Sequence, residues 1–81
     1  NWDFSRLAYM DVVIMQIAIA EMLNFPAIPV SVTINEYVEL AKLYSTPRSG
    51  GYINGMLDAI ARNLVESGQL LKKVNPAKRA E

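Results

Sequence analysis

The sequence predicts an all-α domain, a small bundle of three helices with a short turn ahead of the first. Two observations carry this. Apolar residues recur at helical spacing through three stretches, and breaks rich in Pro, Ser and Gly separate those stretches. No strand-like alternation and no internal repeat competes with that reading. A chain of 81 residues holds one domain with a thin core.

The first helix is expected over Met10–Asn24, preceded by a helical turn over Asp3–Ala8. Its run "MDVVIMQIAIAEML" is apolar on nearly every side. At 100° per residue, Asp11, Gln16 and Glu21 point in three directions, which predicts a helix surrounded by protein. Asp11 lies in its first turn, where a negative charge suits the helix dipole. "NFPAIPV" ends the helix, because Pro26 and Pro29 lack backbone donors and push Phe25 and Ile28 toward extended conformations. Pro29 is also suited to the start of the next helix.

The second helix is expected over Val30–Tyr44. Val30, Ile34, Tyr37, Val38, Ala41 and Tyr44 share one face, and Asn35, Glu36, Glu39 and Lys42 share the other. "STPRSGG" breaks the chain again. The third helix is expected from Ser49 or Gly50 to Ser67, with Ile53, Met56, Leu57, Ile60 and Leu64 facing inward. Asp58 and Arg62 form an i,i+4 pair on its outer side, and Gly68 is placed to cap it. Residues 1–71 are assigned to the bundle. Residues 72–81 are assigned to a basic tail without regular structure.

Composition narrows the chemistry. There is no Cys and no His, which removes the disulfide framework, the thiolate metal site and the commonest general base. No cofactor or metal is expected, and an enzyme is disfavoured. The net charge is zero but unevenly spread. Residues 1–71 carry four basic groups (Arg6, Lys42, Arg48, Arg62) against seven acidic ones, and the last ten carry Lys72, Lys73, Lys78 and Arg79 against Glu81. The mildly acidic body has little of the positive charge on which nucleic-acid affinity usually rests. The longest charge-free run of the first helix falls short of a membrane span, and no targeting segment is visible, so the cytoplasm is expected. The opening "NWDFSR" reads as the interior of a longer polypeptide.

"SGGYINGMLDAIA", Ser49–Ala61, holds the candidate chemistry. A Walker-type phosphate loop needs a preceding strand and a Gly-Lys-Ser/Thr ending, and neither is present. Ser49 instead suits an N-cap, with Gly50 and Gly51 easing the entry into the helix. Gly55 is expected where a neighbouring helix packs closely. Tyr52, beside Arg48 at a helix N-terminus, suits stacking on a single-stranded base with its phosphate nearby. A ring packed on the core is the alternative. Glu36 and Glu39 lie one turn apart without a third partner, as on a solvated face.

The segment "VTINEYVELAKLYSTPRSGGYINGMLDAIAR" closely resembles the signature of the NusB transcription antitermination family. The family's "INEAxELAK"-like core appears as "INEYVELAK", and its aromatic followed by "VNGxLD" appears as "YINGMLD". Upstream, Arg6, Asp11, Ile14, Ala18 and Glu21 match the family's preceding helix, and "FPAIPV" stands at its "D-x-P" turn. The resemblance covers residues 2–65 and implies the C-terminal helical half of a NusB-like fold.

It further implies a binding protein that takes boxA-type single-stranded RNA jointly with the ribosomal protein NusE, promoting read-through in ribosomal RNA operons. By the resemblance, Tyr52 and the preceding loop, Arg48, Ser49, Gly50 and Gly51, lie at the RNA surface, and Asp11 lies near the NusE side. Arg48 stands where the family often has an acidic residue, and Gln16 where it often has Arg. The family's Arg-rich N-terminal segment is absent from this sequence. The apolar surplus is then expected to match the face that meets the N-terminal bundle, and this chain alone to self-associate through it. Two alternatives remain: the NusB-like domain of a ribosomal-RNA methyltransferase, and a helical module that binds only protein.

Overall fold

In a computed structural model, residues 8–72 are described. Three helices fill most of that range: α1 (Tyr9–Asn24), α2 (Val30–Tyr44) and α3 (Ser49–Glu66). Each packs against the other two. Among the described residues there is no strand, as the periodicity requires. The expected turn over Asp3–Ala8 falls outside the described residues apart from Ala8, and the tail falls outside apart from Lys72.

The loops form where local chemistry demands them. Pro29 is the N-cap of α2, with extended backbone, and its carbonyl accepts from Val32 and Thr33. Gly68 has φ +82°, the left-handed region that favours glycine. Its N–H donates to the Val65 carbonyl at 3.0 Å, and the Gln69 N–H reaches back to Leu64 at 2.9 Å. That pair of bonds is a Schellman cap. It reverses the chain so that Leu70 enters the core and Lys72 donates to the Ile28 carbonyl.

The core follows one stripe per helix. Ile14, Met15, Ala18 and Met22 come from α1, Val30, Ile34, Val38 and Ala41 from α2, and Ile53, Leu57 and Ala61 from α3. One fully buried alanine on each helix (Ala18, Ala41, Ala61) removes bulk from the inner faces. Three polar residues occupy positions in these same stripes: Asp11, Thr33 and Ser49, all without exposed surface. Asp11 precedes Ile14 and Met15 by one turn, and Ser49 precedes Ile53 by one turn.

Two expectations about burial need correction. α1 is not surrounded among the described residues. Ile17 is half exposed, and Tyr9 and Leu23 are exposed with it, because α2 and α3 cover only one side. Tyr44 is 66% exposed rather than inward, since it lies at the end of α2 beyond the last inward position, Ala41.

The cap at Gly68 gives a direct test. A side chain there meets open space but must adopt left-handed backbone. Gly68→Ala should lower the free energy of unfolding in urea by about 1–2 kcal/mol. Unchanged stability would show that the cap is not held in solution.

Candidate functional site

The first turns of α1 and α3 meet at one end of the core, and a polar cluster forms there. The Tyr52 hydroxyl donates to Asp11 Oδ2 at 2.5 Å. Its oxygen also lies 3.5 Å from Ser49 Oγ. Ser49 Oγ accepts from the Thr46 backbone N–H at 3.3 Å, lies 2.9 Å from Thr46 Oγ1, and donates to Ser45 Oγ at 3.2 Å. One buried carboxylate is thereby linked to the aromatic ring and, through Ser49, to Ser45 and Thr46 of the α2–α3 loop.

A buried carboxylate stays ionised only where its surroundings favour the charge. Burial raises the Asp11 carboxyl, but the Ser45, Tyr52 and Ser49 hydroxyls and the Ala8 backbone outweigh that and hold it below its ordinary value of 3.8. Asp11 is also at the third position of α1, and Tyr52 and Ser49 bring it beside the first turn of α3, so two helix N-termini favour its charge. Its Oδ1 has no hydrogen-bond partner among the described residues. In return, the hydrogen bond to Asp11 pushes the Tyr52 phenol above its ordinary value of 10.0.

A second carboxylate does similar work lower on α1. Glu21 accepts from Thr33 Oγ1 at 2.7 Å and from the Tyr37 hydroxyl at 3.1 Å, tying α1 to α2. Burial and that bond push the Tyr37 phenol upward.

The expected site residues do not all reach the surface. Tyr52 is 39% exposed, and with its hydroxyl turned inward the ring is the part offered to solvent. Arg48 and Gly51 are exposed beside it. Ser49 is not a capping residue. Arg48 occupies the N-cap position without a side-chain cap, and Ser49 lies buried in the first turn with its hydroxyl on the loop. Gly50 is buried beneath Lys42, whose Cε would lie 2.7 Å from an added Cβ. Asp11 has 0% exposure and offers no surface atom to a partner protein in this arrangement.

Among the described residues Gly55 is not a close-packing position either, because nothing lies within 4 Å of where its Cβ would be. Gly51 is equally open. The two lie one turn apart on the strip of α3 beside Tyr52, so one side of the ring is bordered by a low stretch of the helix.

Residues 1–62 match the NusB family. The chain belongs to this family. It is 43% identical over 72 residues to the transcription antitermination protein NusB of Salinibacter ruber, covering 89% of the chain and 45% of that relative. It is 52% identical over 64 residues to the protein of the same name from Natranaerobius thermophilus, covering 79% of the chain and 46% of that relative. A third, from Dictyoglomus thermophilum, is 47% identical over 66 residues, covering 82% and 46%. The chain thus spans about half the length of the NusB relatives it matches. No solved structure matches it.

Among the described residues there is no cluster of potential metal ligands and no helix long and apolar enough to cross a membrane. Glu39 is paired with Lys42 at 3.1 Å, and Asp58 with Arg62 at 2.9 Å, both in solvent. A groove of about 230 Å³ between α1 and α3 is lined by Val12, Met15, Gln16, Ile19 and Ile60, without a titratable group.

The sequence signal for the buried cluster was present but unused. Asp11 and Ser49 continue the inward periodicity of Ile14/Met15 and Ile53. Their polarity and their position in first turns suggested the surface, and only the meeting of the two stripes shows otherwise.

These shifts make stability depend on pH with a definite sign. Asp11 is lowered by folding, so its stabilisation is complete above its ordinary value of 3.8 and is lost as pH falls through the lower folded value. Tyr52 is raised, so its contribution is complete below 10.0 and is lost as pH rises through the folded value. The stability gap between the native chain and Asp11→Asn, measured in urea, should narrow as pH falls below about 4. A gap that stays constant down to pH ~2 would mean that Asp11 is not held ionised by the fold.

Proposed function

We propose that this chain is the C-terminal half of a NusB-type transcription antitermination factor, a binding protein that when intact takes boxA-type single-stranded RNA with the ribosomal protein NusE. The observation that carries the reading is Tyr52. In a family whose relatives bear the antitermination name, an aromatic ring stands exposed with its polar end tied down. Every base has a face that stacks on such a ring, and the exposed Arg48 is one residue from the N-terminus of α3, where phosphate is favoured. Gly51 and Gly55 leave the flanking helix surface low, so a nucleotide can approach the ring.

The contact residues follow from exposure. Tyr52, Arg48 and Gly51 form the surface, while Ser49 and Gly50 shape it from beneath. NusE is assigned to the wider surface around α1 rather than to the Asp11 carboxylate, which is enclosed. A transcription factor of this family would act in the cytoplasm with the transcription machinery.

In the full-length protein, Tyr52→Ala should weaken binding of a boxA-type RNA by about 1–3 kcal/mol. Arg48→Gln should lower the slope of log affinity against log salt by about 0.7 if it neutralises one phosphate. Unchanged affinity in the first variant and an unchanged slope in the second would remove both residues from the interface.

The uncovered side of α1 supports a second part of the reading. Tyr9, Ile17 and Leu23 are exposed apolar residues on it, and such a patch on so small a chain favours association. The 81-residue chain by itself should form a concentration-dependent dimer in sedimentation, and Ile17→Glu should shift it to monomer. A monomer at all concentrations would contradict this.

A further inference from the structure

We propose that Asp11 is a positioning residue of the RNA surface: from beneath, it fixes the Tyr52 ring and the loop before α3 in a single arrangement that RNA then meets ready-made. This rests on the reading of Tyr52 as an RNA contact. Asp11 itself touches no ligand, since it has no exposed surface.

A half-exposed tyrosine side chain is free to move unless something holds it. Its ring swings on two side-chain torsions, and an exposed ring that must be frozen on binding loses affinity. A hydrogen bond at the far tip fixes χ1, the torsion that sets where the ring lies; the hydroxyl is on the χ2 axis, so the ring can still turn about its own axis. The Tyr52 hydroxyl has such a bond, and its acceptor is a carboxylate buried in the core register of another helix, 41 residues away in sequence. An anchor of this kind moves only if the bundle moves. A charged acceptor makes the bond stronger than one to a neutral group.

The same anchor reaches the loop. Ser49 Oγ lies beside the Tyr52 hydroxyl and gathers Ser45, Thr46 Oγ1 and the Thr46 N–H around itself. Those groups set the path of Thr46–Arg48, and therefore where the Arg48 side chain leaves the backbone relative to the ring. Stacking and phosphate contact are then held at a fixed spacing by interactions that the RNA never touches. The carboxylate can do this because its charge is favoured where it lies, at the N-termini of α1 and α3.

Conservative variants of the full-length protein, assayed with a short boxA-type RNA, separate this role from simple packing. Tyr52→Phe keeps the ring and removes the anchor, so its affinity should fall about three- to tenfold, the cost of freezing one free side chain. Asp11→Ala should cause a similar fall. Asp11→Asn, which still offers an acceptor oxygen, should restore most of the binding. In NMR spectra the proximity of the Tyr52 ring to Ser49 should persist in Asp11→Asn and be lost in Tyr52→Phe, while core methyl signals stay unchanged.

If Tyr52→Phe binds as the native protein does while Tyr52→Ala loses affinity, the ring needs no anchor and the positioning role is overturned, with the RNA contact intact. If Tyr52→Ala also binds normally, the RNA contact fails and the positioning role fails with it. If Asp11→Asn binds no better than Asp11→Ala, the carboxylate acts through packing rather than as an acceptor, and the proposal is again overturned.

Discussion

The bundle depends on two carboxylates, the only charged groups of a largely apolar helix. Asp11 and Glu21 are ten residues apart on α1, about 15 Å along its axis and roughly 80° apart around it. That offset aims one at α3 and the other at α2. Asp11 receives the Tyr52 hydroxyl, and Glu21 receives Thr33 and Tyr37. Apolar burial draws the helices together but is indifferent to small rotations and slides. Hydrogen bonds to charged acceptors are directional and contribute about 1.5–3 kcal/mol each where buried, less where one partner is part-exposed as Tyr52 is. They set the register that the core alone leaves loose.

The polar end of the core is also what gives the chain a distinctive surface. Because Asp11 and Ser49 lie within the inward stripes, the loop between α2 and α3 is held from inside. The ring of Tyr52 is held at its tip and exposed along its side. A charge that would be costly if isolated is made tolerable by three surrounding hydroxyls and two helix N-termini. The structural role of the cluster and its proposed role in binding are therefore one arrangement seen from two sides.

Much of this was readable from the residues in order. The ends of α2 came out as expected because Pro29 and the Ser-Thr-Pro break act locally, and Gly68 capped α3 because only glycine takes its backbone angle without strain. α1 begins one residue earlier than expected. The family itself was carried by motifs around Ile34–Lys42 and Tyr52–Asp58. What could not be read depended on partners distant in sequence. Ser49 looked like a cap until its stripe met that of Asp11. Gly55 looked like a packing site because a mid-helix glycine without a packing reason lowers stability by about 1 kcal/mol against alanine. Its open surroundings remove that reason. The exposed side of α1 was invisible because an all-round apolar helix reads as enclosed whether or not its cover lies within these residues.

Asp11 and Tyr52 act as a coupled pair joining α1 to α3. A double-mutant cycle in urea unfolding, using Asp11→Ala, Tyr52→Phe and the combined variant at neutral pH, measures that coupling directly. The two losses should not add, with an interaction of about 1–2 kcal/mol after allowance for the part-exposed ring. Losses that add within about 0.3 kcal/mol would show that the two groups stabilise the fold independently and would contradict the coupling.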